Sequence, residues 1–359
     1  MSTTTGMDGG GFYNAHSDEQ RVALDAFLPW LEDAIMDLPV DSTGNRPMGL
    51  LDLGSSEGGN AIHAMIRLIE RLRRRTEAPL WVFFDDLPSN DFNQLFVNLF
   101  QSGSLILPGA DIYPAVIGGT AFGRVVPPRS LHVATTFNTI AFLETMPKSK
   151  ITHYILPMKP CAPREGVSVG EAEQEPFRLE AARDLRRFYR ARAEELVRGG
   201  KMLVQVFGRD EVRSTSDGIY DVLSDALLDA VEDNLLPGGI YEDLIFPVYF
   251  RNLSELLAPV ERADDIAEAF RIEKAEVREV PAPFNLALEN TGDVRAWARS
   301  YTGFLRAFTE PILAAAIPED LSKTGIVPEI YRRIQARLEA DAARYEFHYI
   351  ALGVLLTRL

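Results

Sequence analysis

The sequence is poor in the residues that form disulfides and metal centres. Its 359 residues include a single cysteine, Cys161, and five scattered histidines. One cysteine cannot form an intrachain disulfide, which fits a reducing compartment such as the cytoplasm. The cysteine and the histidines show no zinc-ligand spacing, so we predict no metal site.

Long hydrophobic runs and excess positive charge are also missing. No apolar run reaches the roughly 18 residues that a membrane span needs. The first eleven residues are small and polar, without the basic start of a signal peptide. The net charge of −15 disfavours nucleic acid or an anionic membrane as a partner. The composition therefore predicts a cytoplasmic globular protein that neither binds nucleic acid nor inserts into a membrane.

The apolar residues that are present predict an α/β fold. They make up 46% of the chain, enough for a sizeable core. Apolar runs alternate with segments of helical periodicity, which indicates a mostly parallel sheet covered on both faces. We predict strands at 49–53, 80–84, 131–135, 201–207 and 345–356. We predict helices at 20–38, 61–75, 90–100 and 179–198, the last ended by the C-cap pair Gly199-Gly200.

The segment 50–60, LLDLGSSEGGN, is the most informative part of the chain. A strand ends in a turn where Gly54, Gly58 and Gly59 allow sharp bends and close approach to a ligand. The free N–H groups of the following helix suit an anionic group. This strand–loop–helix unit is typical of domains that bind an adenosine-containing cofactor.

The next predicted strand, 80–84, is followed directly by Asp85-Asp86, which gives the glycine turn a partner. In a doubly wound fold, an acidic residue at this point bonds the ribose hydroxyls, and we assign that role to Asp86. A solvated loop carboxylate is the alternative. The glycines do not follow the G-x-G-x-x-G spacing of a dinucleotide site, whereas a wider loop that begins D-x-G suits S-adenosylmethionine.

The segment Tyr13 to Gln20 has two interpretations. Ser17 and Gln20 are spaced as a capping box, in which each side chain bonds the other residue's backbone N–H, and local sequence alone favours this. The order of motifs along the chain favours a ligand-binding role instead.

Four motifs in order resemble the SABATH methyltransferases, which are S-adenosylmethionine-dependent carboxyl methyltransferases. They are Tyr13…Ser17-x-x-Gln20, the 52–60 loop, the octapeptide DLPSNDFN at 86–93, and Phe122-Gly123-Arg124…Ser130-Leu131-His132. The likeness is strong over residues 12–145 and weaker over 196–209. It implies a Rossmann-like class I methyltransferase sheet with an inserted, mostly helical cap, and a homodimer.

The resemblance also implies residue roles. Cofactor contacts would come from Tyr13, Ser17, Asp52, Gly54, Ser55, Asn60, Asp86, Leu87, Thr120, Ala121 and Phe137. The ligand would be S-adenosylmethionine, with S-adenosylhomocysteine as its product. Gln20 would hold the carboxylate of a small-molecule carboxylic acid.

The acceptor region departs from the family's pattern. The family's tyrosine and its indole-donating tryptophan correspond to Asn138 and Phe142. Phe142 cannot donate a hydrogen bond, but the Asn138 amide can. Further pocket candidates are Tyr220, Leu223, Leu227, Leu228, Trp297 and Phe347, for each of which ordinary core packing is an equally good interpretation.

These assignments predict methyl transfer to a carboxylate without a general base, because carboxylic acids are already ionised at neutral pH. One alternative is transfer to a phenol or nitrogen, with His16 or His132 as base. Others are a nicotinamide-dependent oxidoreductase and a cofactor-binding protein without catalysis. We expect a mobile lid at 1–16, the S-adenosylmethionine-binding α/β domain at 17–209, a helical substrate cap at 210–326, and a C-terminal helix and strand at 327–359.

Overall fold

The computed structural model describes residue 7 and residues 11–40, 46–100, 111–164, 166–262 and 264–359. These residues form one sheet of seven strands in the order β3-β2-β1-β4-β5-β7-β6. The strands are β1 Met48–Leu53, β2 Leu80–Asp86, β3 Ile112–Gly118, β4 Leu131–Phe137, β5 Leu196–Phe207, β6 Phe270–Val280 and β7 Tyr349–Arg358.

The first five strands pair in parallel, and β7 runs antiparallel to both β5 and β6. Every residue of β1 is buried, and so is almost all of β7, which explains why both read as continuous apolar runs. Because these strands are parallel, the carboxyl ends of β1, β2, β4 and β5 lie at the same end of the sheet, where α/β proteins place their ligands.

Helices cover the sheet and build the remainder of the molecule. On one face, the ring of Phe27 lies where a side chain on Gly353 of β7 would otherwise sit. The helices are α1 Phe12–Ala15, α2 Asp18–Ala34, α3 Gly59–Leu72, α4 Phe92–Phe100, α5 Glu171–Glu195, α6 Ile219–Glu232, α7 Gly238–Asp243, α8 Leu253–Arg262, α9 Asp264–Ala267, α10 Pro283–Thr291, α11 Val294–Ala316, α12 Glu319–Ser322 and α13 Ile326–Ala340. Within the ranges described, no helix is both long and apolar enough to cross a membrane.

All five predicted strands are confirmed, whereas β3 and β6 were not predicted. Both are edge strands, so neither needs two buried faces. In β6 most side chains are exposed or partly exposed and many are charged, which hides the strand in the sequence. In β3 a proline, Pro114, interrupts the pattern. Because β6 lies within 210–326, that segment is not helical throughout and contributes to the main sheet.

The predicted end of the 179–198 helix was wrong. Helix α5 ends at Glu195, and the chain turns directly into β5. Gly199 does have a left-handed backbone, with φ of +80°. It lies in an irregular part of β5, where the β4–β5 register shifts between Leu131 and Val133. The glycine therefore serves a bulge and not a helix C-cap.

Most of the predicted lid, 1–16, lies outside the described residues. The described part contains α1, which contacts the body of the protein. The Gly11 N–H donates to Glu57 Oε1 at 2.6 Å, and the guanidinium of Arg306 on α11 stacks over the Phe12 ring.

Candidate active site

A cleft opens at the end of the sheet where the carboxyl ends of the parallel strands lie. Its volume is about 1080 Å³ including the mouth. It collects residues from β2, β4, β5 and β7, from loops that adjoin the sheet, and from α2, α6 and α11. The predicted residues that line it are Gln20, Gly54, Asp86, Leu87, Thr120, Ala121, Phe137, Asn138, Phe142, Tyr220 and Phe347. The fold therefore brings together residues from most of the sequence motifs.

The glycine turn is fixed by the end of the neighbouring strand. The N–H groups of Gly54 and Ser55 both donate to the Asp85 carbonyl, at 2.8 and 3.0 Å. Gly54 has φ of +80°, and a Cβ there would lie 1.8 Å from Thr139 Oγ1. Gly58 has φ of +93° and precedes α3. The turn therefore needs glycine both for its backbone angles and for the space that it leaves.

Asp86 is held in a fixed orientation beside this turn. Its Oδ2 accepts from the Ser56 N–H at 2.6 Å, and its Oδ1 accepts from the Leu87 N–H at 2.7 Å. Burial raises its pKa to about 6, although both backbone bonds favour the charged form. Each oxygen keeps a further lone pair, so the carboxylate can accept from two adjacent hydroxyl groups.

Asp52 and Ser55 lie beneath the turn and are absent from the cleft lining. Asp52 is buried and accepts from Ser55 Oγ at 2.9 Å and from Thr135 Oγ1 at 2.7 Å. Burial raises its pKa to about 6. This pair supports the loop from below, so any effect on a ligand would pass through the turn.

Helix α2 brings Gln20 to the cleft. Asn60, at the start of α3, donates to the Ser17 carbonyl at 3.4 Å and accepts from Arg21 Nε at 3.1 Å, which joins α2 to the glycine loop. The Ser17 side chain makes no capping bond, so the capping box was wrong. Gln20 Oε1 is buried without a hydrogen-bond partner in the described part of the chain. Tyr13 lies in α1, and its side chain falls outside the described residues.

The loop after β3 forms another wall, and a buried ion pair holds it. Thr120 and Ala121 line the cleft. Arg192 on α5 donates to the carbonyls of Ala121 and Gly123, at 2.9 and 2.7 Å, and its Nε donates to Glu195 at 2.6 Å. The wall therefore depends on two charges that are shielded from solvent.

The other half of the cleft is aromatic. The rings that line it belong to Phe142, Phe207, Tyr220, Phe250, Phe304, Phe308, Phe347 and Tyr349. Several of these rings contact each other; for example, Phe207 packs against Phe250 at 5.1 Å between centroids. Among the lining residues that the structure describes, none is lysine, arginine, histidine or cysteine. This half suits an apolar body.

Asn138 has a more structural position than the sequence indicated. It adopts a left-handed backbone with φ of +64° directly after β4. Its Oδ1 accepts from Gln205 Nε2 and from the Phe207 N–H, at 3.2 and 2.9 Å. Its Nδ2 donates to the Tyr349 hydroxyl at 2.9 Å. One N–H of the amide is thus already used, and the side chain ties β4, β5 and β7 together.

Several predicted residues lie away from the cleft lining. The Trp297 indole N–H donates to Asn285 at 2.9 Å, and the side chain is 3% exposed. Leu223, Leu227 and Leu228 lie on α6 outside the lining, while Tyr220 of the same helix faces it. Ser17 and Asn60 also lie outside it.

Neither candidate base is part of the cleft lining. The Nδ1 of His16 lies 2.9 Å from the Phe12 carbonyl, and its ring stacks on the Phe12 ring. His132 lies in the first half of β4, toward the end of the sheet opposite the cleft. The positions of both rings therefore disfavour methyl transfer to a phenol or an amine by a histidine base.

Sequence reasoning missed a group of lining residues. They include Met7, Ser56, Asp85, Thr139, Glu144, Phe207, Thr215, Ile219, Phe250 and Tyr349. Two carried a signal, because Phe207 ends a predicted strand and Tyr349 lies within another. Asp85 ends up in β2 next to Asp86, and Ser56 lies in the 50–60 segment, but neither was assigned a role. Most of the others come from loops or from the segment after 210, where the sequence shows no regular pattern.

The residues present fit the S-adenosyl group that the sequence predicts. Asp86 offers two oriented acceptors for a ribose diol. The buried Oε1 of Gln20 and the buried Oγ of Ser56 both lack partners in the described part of the chain, as polar groups that await a ligand do. Leu87 and the 120–122 loop offer apolar contacts beside Asp86.

Comparisons with known proteins identify the relatives of this chain. The sequence profile of the family described as SAM dependent carboxyl methyltransferase matches residues 2–359. Gibberellic acid methyltransferase 2 of Arabidopsis thaliana is 25% identical over 351 residues, covering 92% of this chain and 87% of the relative. Indole-3-acetate O-methyltransferase 1 of Arabidopsis thaliana is 26% identical over 380 residues, covering 98% and 94%.

The fold has a solved counterpart. The structure described as loganic acid methyltransferase with SAH superposes with a TM-score of 0.78 at 22% identity and covers 98% of both chains. The predicted α/β methyltransferase fold is thereby confirmed, as are the resemblance to the SABATH enzymes and the use of S-adenosylmethionine. This chain belongs to the family of S-adenosylmethionine-dependent carboxyl methyltransferases.

Proposed function

We propose that this enzyme converts a monocarboxylic acid with an apolar body into its methyl ester. One observation carries the proposal: the acceptor half of the cleft is aromatic, and its described lining contains no cation, histidine or thiol. A second anionic group on the substrate would be buried there without an ionic partner, which is costly. A single carboxylate can be held by neutral donors.

The chemistry needs no proton acceptor from the protein. Carboxylic acids have pKa values near 4 to 5, so the substrate arrives ionised. When bound, S-adenosylmethionine supplies an electrophilic methyl group. The chain's own residues would orient the carboxylate and exclude water, and a rate gain from proximity and orientation follows from this.

Two side chains are placed to orient the carboxylate. The Gln20 amide lines the cleft next to the cofactor half, and its Nε2 can donate to a carboxylate oxygen. Tyr349 also lines the cleft, and Asn138 fixes its hydroxyl by donating to it. The sequence predicted Asn138 as a hydrogen-bond donor to the carboxylate. We assign that role instead to Gln20 and Tyr349, and Asn138 positions the tyrosine.

The arrangement of the chain around this site extends the proposal. Residues 17–209 would bind the cofactor, and the helices of 210–326 would supply much of the acceptor wall through Tyr220, Phe250 and Phe304. Residues 327–359 complete the sheet with β7. The homodimer and the cytoplasmic location remain predictions.

The test is methyl transfer from labelled S-adenosylmethionine to a panel of aromatic, isoprenoid and fatty acids. Each acid is paired with the matching alcohol and with a dicarboxylic analogue. We expect an alkali-labile methyl ester from one class of monocarboxylic acids and none from the alcohols or diacids. Methylation of alcohols at rates equal to the acids would contradict the proposal.

Gln20→Ala tests the site directly, with Gln335→Ala, a partly exposed residue of α13 outside the cleft lining, as its control. Loss of a hydrogen bond to a charged group should lower kcat/KM for the acid by about 10- to 100-fold. The control should match the wild type. An unchanged kcat/KM in Gln20→Ala would remove the glutamine from the mechanism.

A further inference from the structure

We propose that a second cleft, at the end of the sheet opposite the active site, binds a small organic anion with an aromatic or alicyclic body. Its open volume is about 1560 Å³. It lies at the amino ends of β1, β2, β4 and β5, and it is lined by Pro39, Val40, Arg46, Pro47, Met48, Gly49, Trp81, Phe83, Pro127, Arg129, Ser130, His132, Val197 and Arg198. The proposed reaction uses none of these residues.

Two arginines give this cleft its charge. Among the described residues, Arg129 and Arg198 form no ion pair, unlike many other arginines of the chain, although the protein carries a net charge of −15. Both side chains are exposed. An anion bound between them would gain charge-assisted hydrogen bonds that no acid of the described chain supplies.

The backbone at Arg129 is held in an unusual conformation. Its φ is +54°, in the left-handed region that side-chain-bearing residues rarely adopt. The N–H groups of Arg129 and Ser130 donate to the carbonyls of Glu194 and Glu195, both at 2.9 Å, and keep the turn in place. Strain of this kind persists where the surrounding structure fixes it, and it is concentrated at binding sites.

His132 gives the cleft a neutral donor. The register of β4 is irregular on both sides at this residue, toward β1 and toward β5. Such bulges redirect a side chain. The Gly49 N–H donates to His132 Nδ1 at 3.2 Å, so the proton of the neutral ring resides on Nε2. Burial lowers the pKa of this histidine, which favours that neutral form.

An aromatic wall completes the cleft and indicates the shape of the ligand. Trp81 is 43% exposed, and its ring stacks on Phe83 at 6.1 Å with an angle of 8° between the planes. Large exposed apolar surface beside polar groups is typical of a binding site. A flat ring could cover Trp81 while its anionic group contacts Arg129 or Arg198.

This cleft is separate from the active site. The six residues of β1 lie between them, which is roughly 20 Å at about 3.3 Å per residue. A ligand bound here therefore cannot receive the methyl group.

The probe is naphthalene-2-sulfonate, an anion with no carboxylate to methylate. It is titrated by calorimetry into the full-length protein saturated with S-adenosylhomocysteine. We expect saturable binding that weakens with added salt. In the Arg129→Gln/Arg198→Gln variant the affinity should fall at least about ten-fold, as the loss of one charge-assisted bond implies. Naphthalene-2-sulfonamide, which has the same rings without the charge, should bind at least about ten-fold more weakly.

The matched control is Arg295→Gln/Arg299→Gln, which removes two exposed arginines of α11 that also form no ion pair among the described residues. Its affinity should stay within about two-fold of the wild type, because it alters only the net charge. Trp81→Leu should weaken binding without unfolding the protein, since the indole is partly exposed. The proposal would be overturned by the absence of measurable binding, or by equal losses of affinity in the two double variants. It would also be overturned if Phe142→Ala abolished binding and Arg129→Gln/Arg198→Gln did not.

Discussion

The buried arginine behind the active-site wall allows the most quantitative prediction. Arg192 lies on α5 with no exposed surface. Its guanidinium donates to the carbonyls of Ala121 and Gly123 and to the buried carboxylate of Glu195. Arg192→Met keeps most of the aliphatic length but removes all of these donors. It leaves a carboxylate shielded from solvent without its cation.

The expected cost is large because a buried charge loses its partner. Breaking a buried ion pair from one side typically costs about 3–5 kcal/mol. Unfolding entropies near 2.1 cal/mol/K per residue make 1 kcal/mol worth about 1.3 °C in a chain of 359 residues. The melting temperature should therefore fall by about 4–7 °C. The affinity for S-adenosylmethionine should also fall, because the loop that carries Thr120 and Ala121 loses its anchor.

Arg190→Met is the matched control on the same helix. Arg190 pairs with Asp265 at the exposed surface, and such pairs contribute about 0–1 kcal/mol. Thermal denaturation and calorimetry with S-adenosylmethionine measure both effects. If Arg192→Met melts within about 1 °C of the control, the buried pair does not stabilise the fold as argued. A large loss of stability with unchanged cofactor affinity would refute the link between this ion pair and the cofactor wall.

Three further changes test the cleft. Burial is the main cause that raises the pKa of Asp85 from 3.8 to about 8, and the carboxylate of Asp86 is the second. The contribution of Asp85 to the free energy of unfolding is therefore complete below about pH 4 and is lost as the pH rises to about 8. Asp85→Asn should therefore raise the melting temperature more at pH 8 than at pH 5, and an increment independent of pH would contradict the shift. Gly54→Ala should lower the affinity for S-adenosylmethionine by at least about ten-fold, because a Cβ at this left-handed position has no space; Gly239→Ala, with open space around it, is the control. Tyr349→Phe should lower the free energy of unfolding by about 1–3 kcal/mol, because Asn138 Nδ2 loses the acceptor it donates to. It should also reduce kcat/KM for the acid, and unchanged kinetics would exclude the tyrosine as a donor.

The half of the cleft that we assign to the cofactor could be predicted from the sequence because its geometry is local. A strand, a glycine turn and a helix follow one another within 48–72, and Asp86 ends the adjacent strand. In a parallel sheet the carboxyl ends of neighbouring strands meet, so Gly54 and Asp86 come together from chain order alone. The backbone bonds from Gly54 and Ser55 to Asp85 are a direct consequence of this pairing.

The acceptor half was predicted less completely because its residues meet only through the tertiary fold. Asn138 and Tyr349 are 211 positions apart, and a β7 strand inserted antiparallel between β5 and β6 is needed to join them. Residues such as Thr215 and Phe250 lie in irregular segments, where the sequence has no periodicity that would indicate a side chain's direction. Strand β6 was missed for a related reason, since an edge strand with charged side chains does not resemble a buried one.

The distribution of charge in the cleft is consistent with the proposed reaction. Acidic groups lie in the half that we assign to the cofactor, where Asp85, Asp86 and Glu144, which accepts from Thr120 Oγ1 at 2.8 Å, line the wall, whereas the rest of the described lining is mainly aromatic. An arginine against the carboxylate would stabilise the ionised substrate more than a transition state in which its negative charge is fading, and would lower the rate. Methyl transfer from a sulfonium to a carboxylate removes both charges, so a dry, weakly polar pocket favours progress toward products. Under the proposed assignment, Phe142 at the position of the family's indole donor would give up one hydrogen bond to the ground state, and Gln20 and Tyr349 would set the direction of the carboxylate.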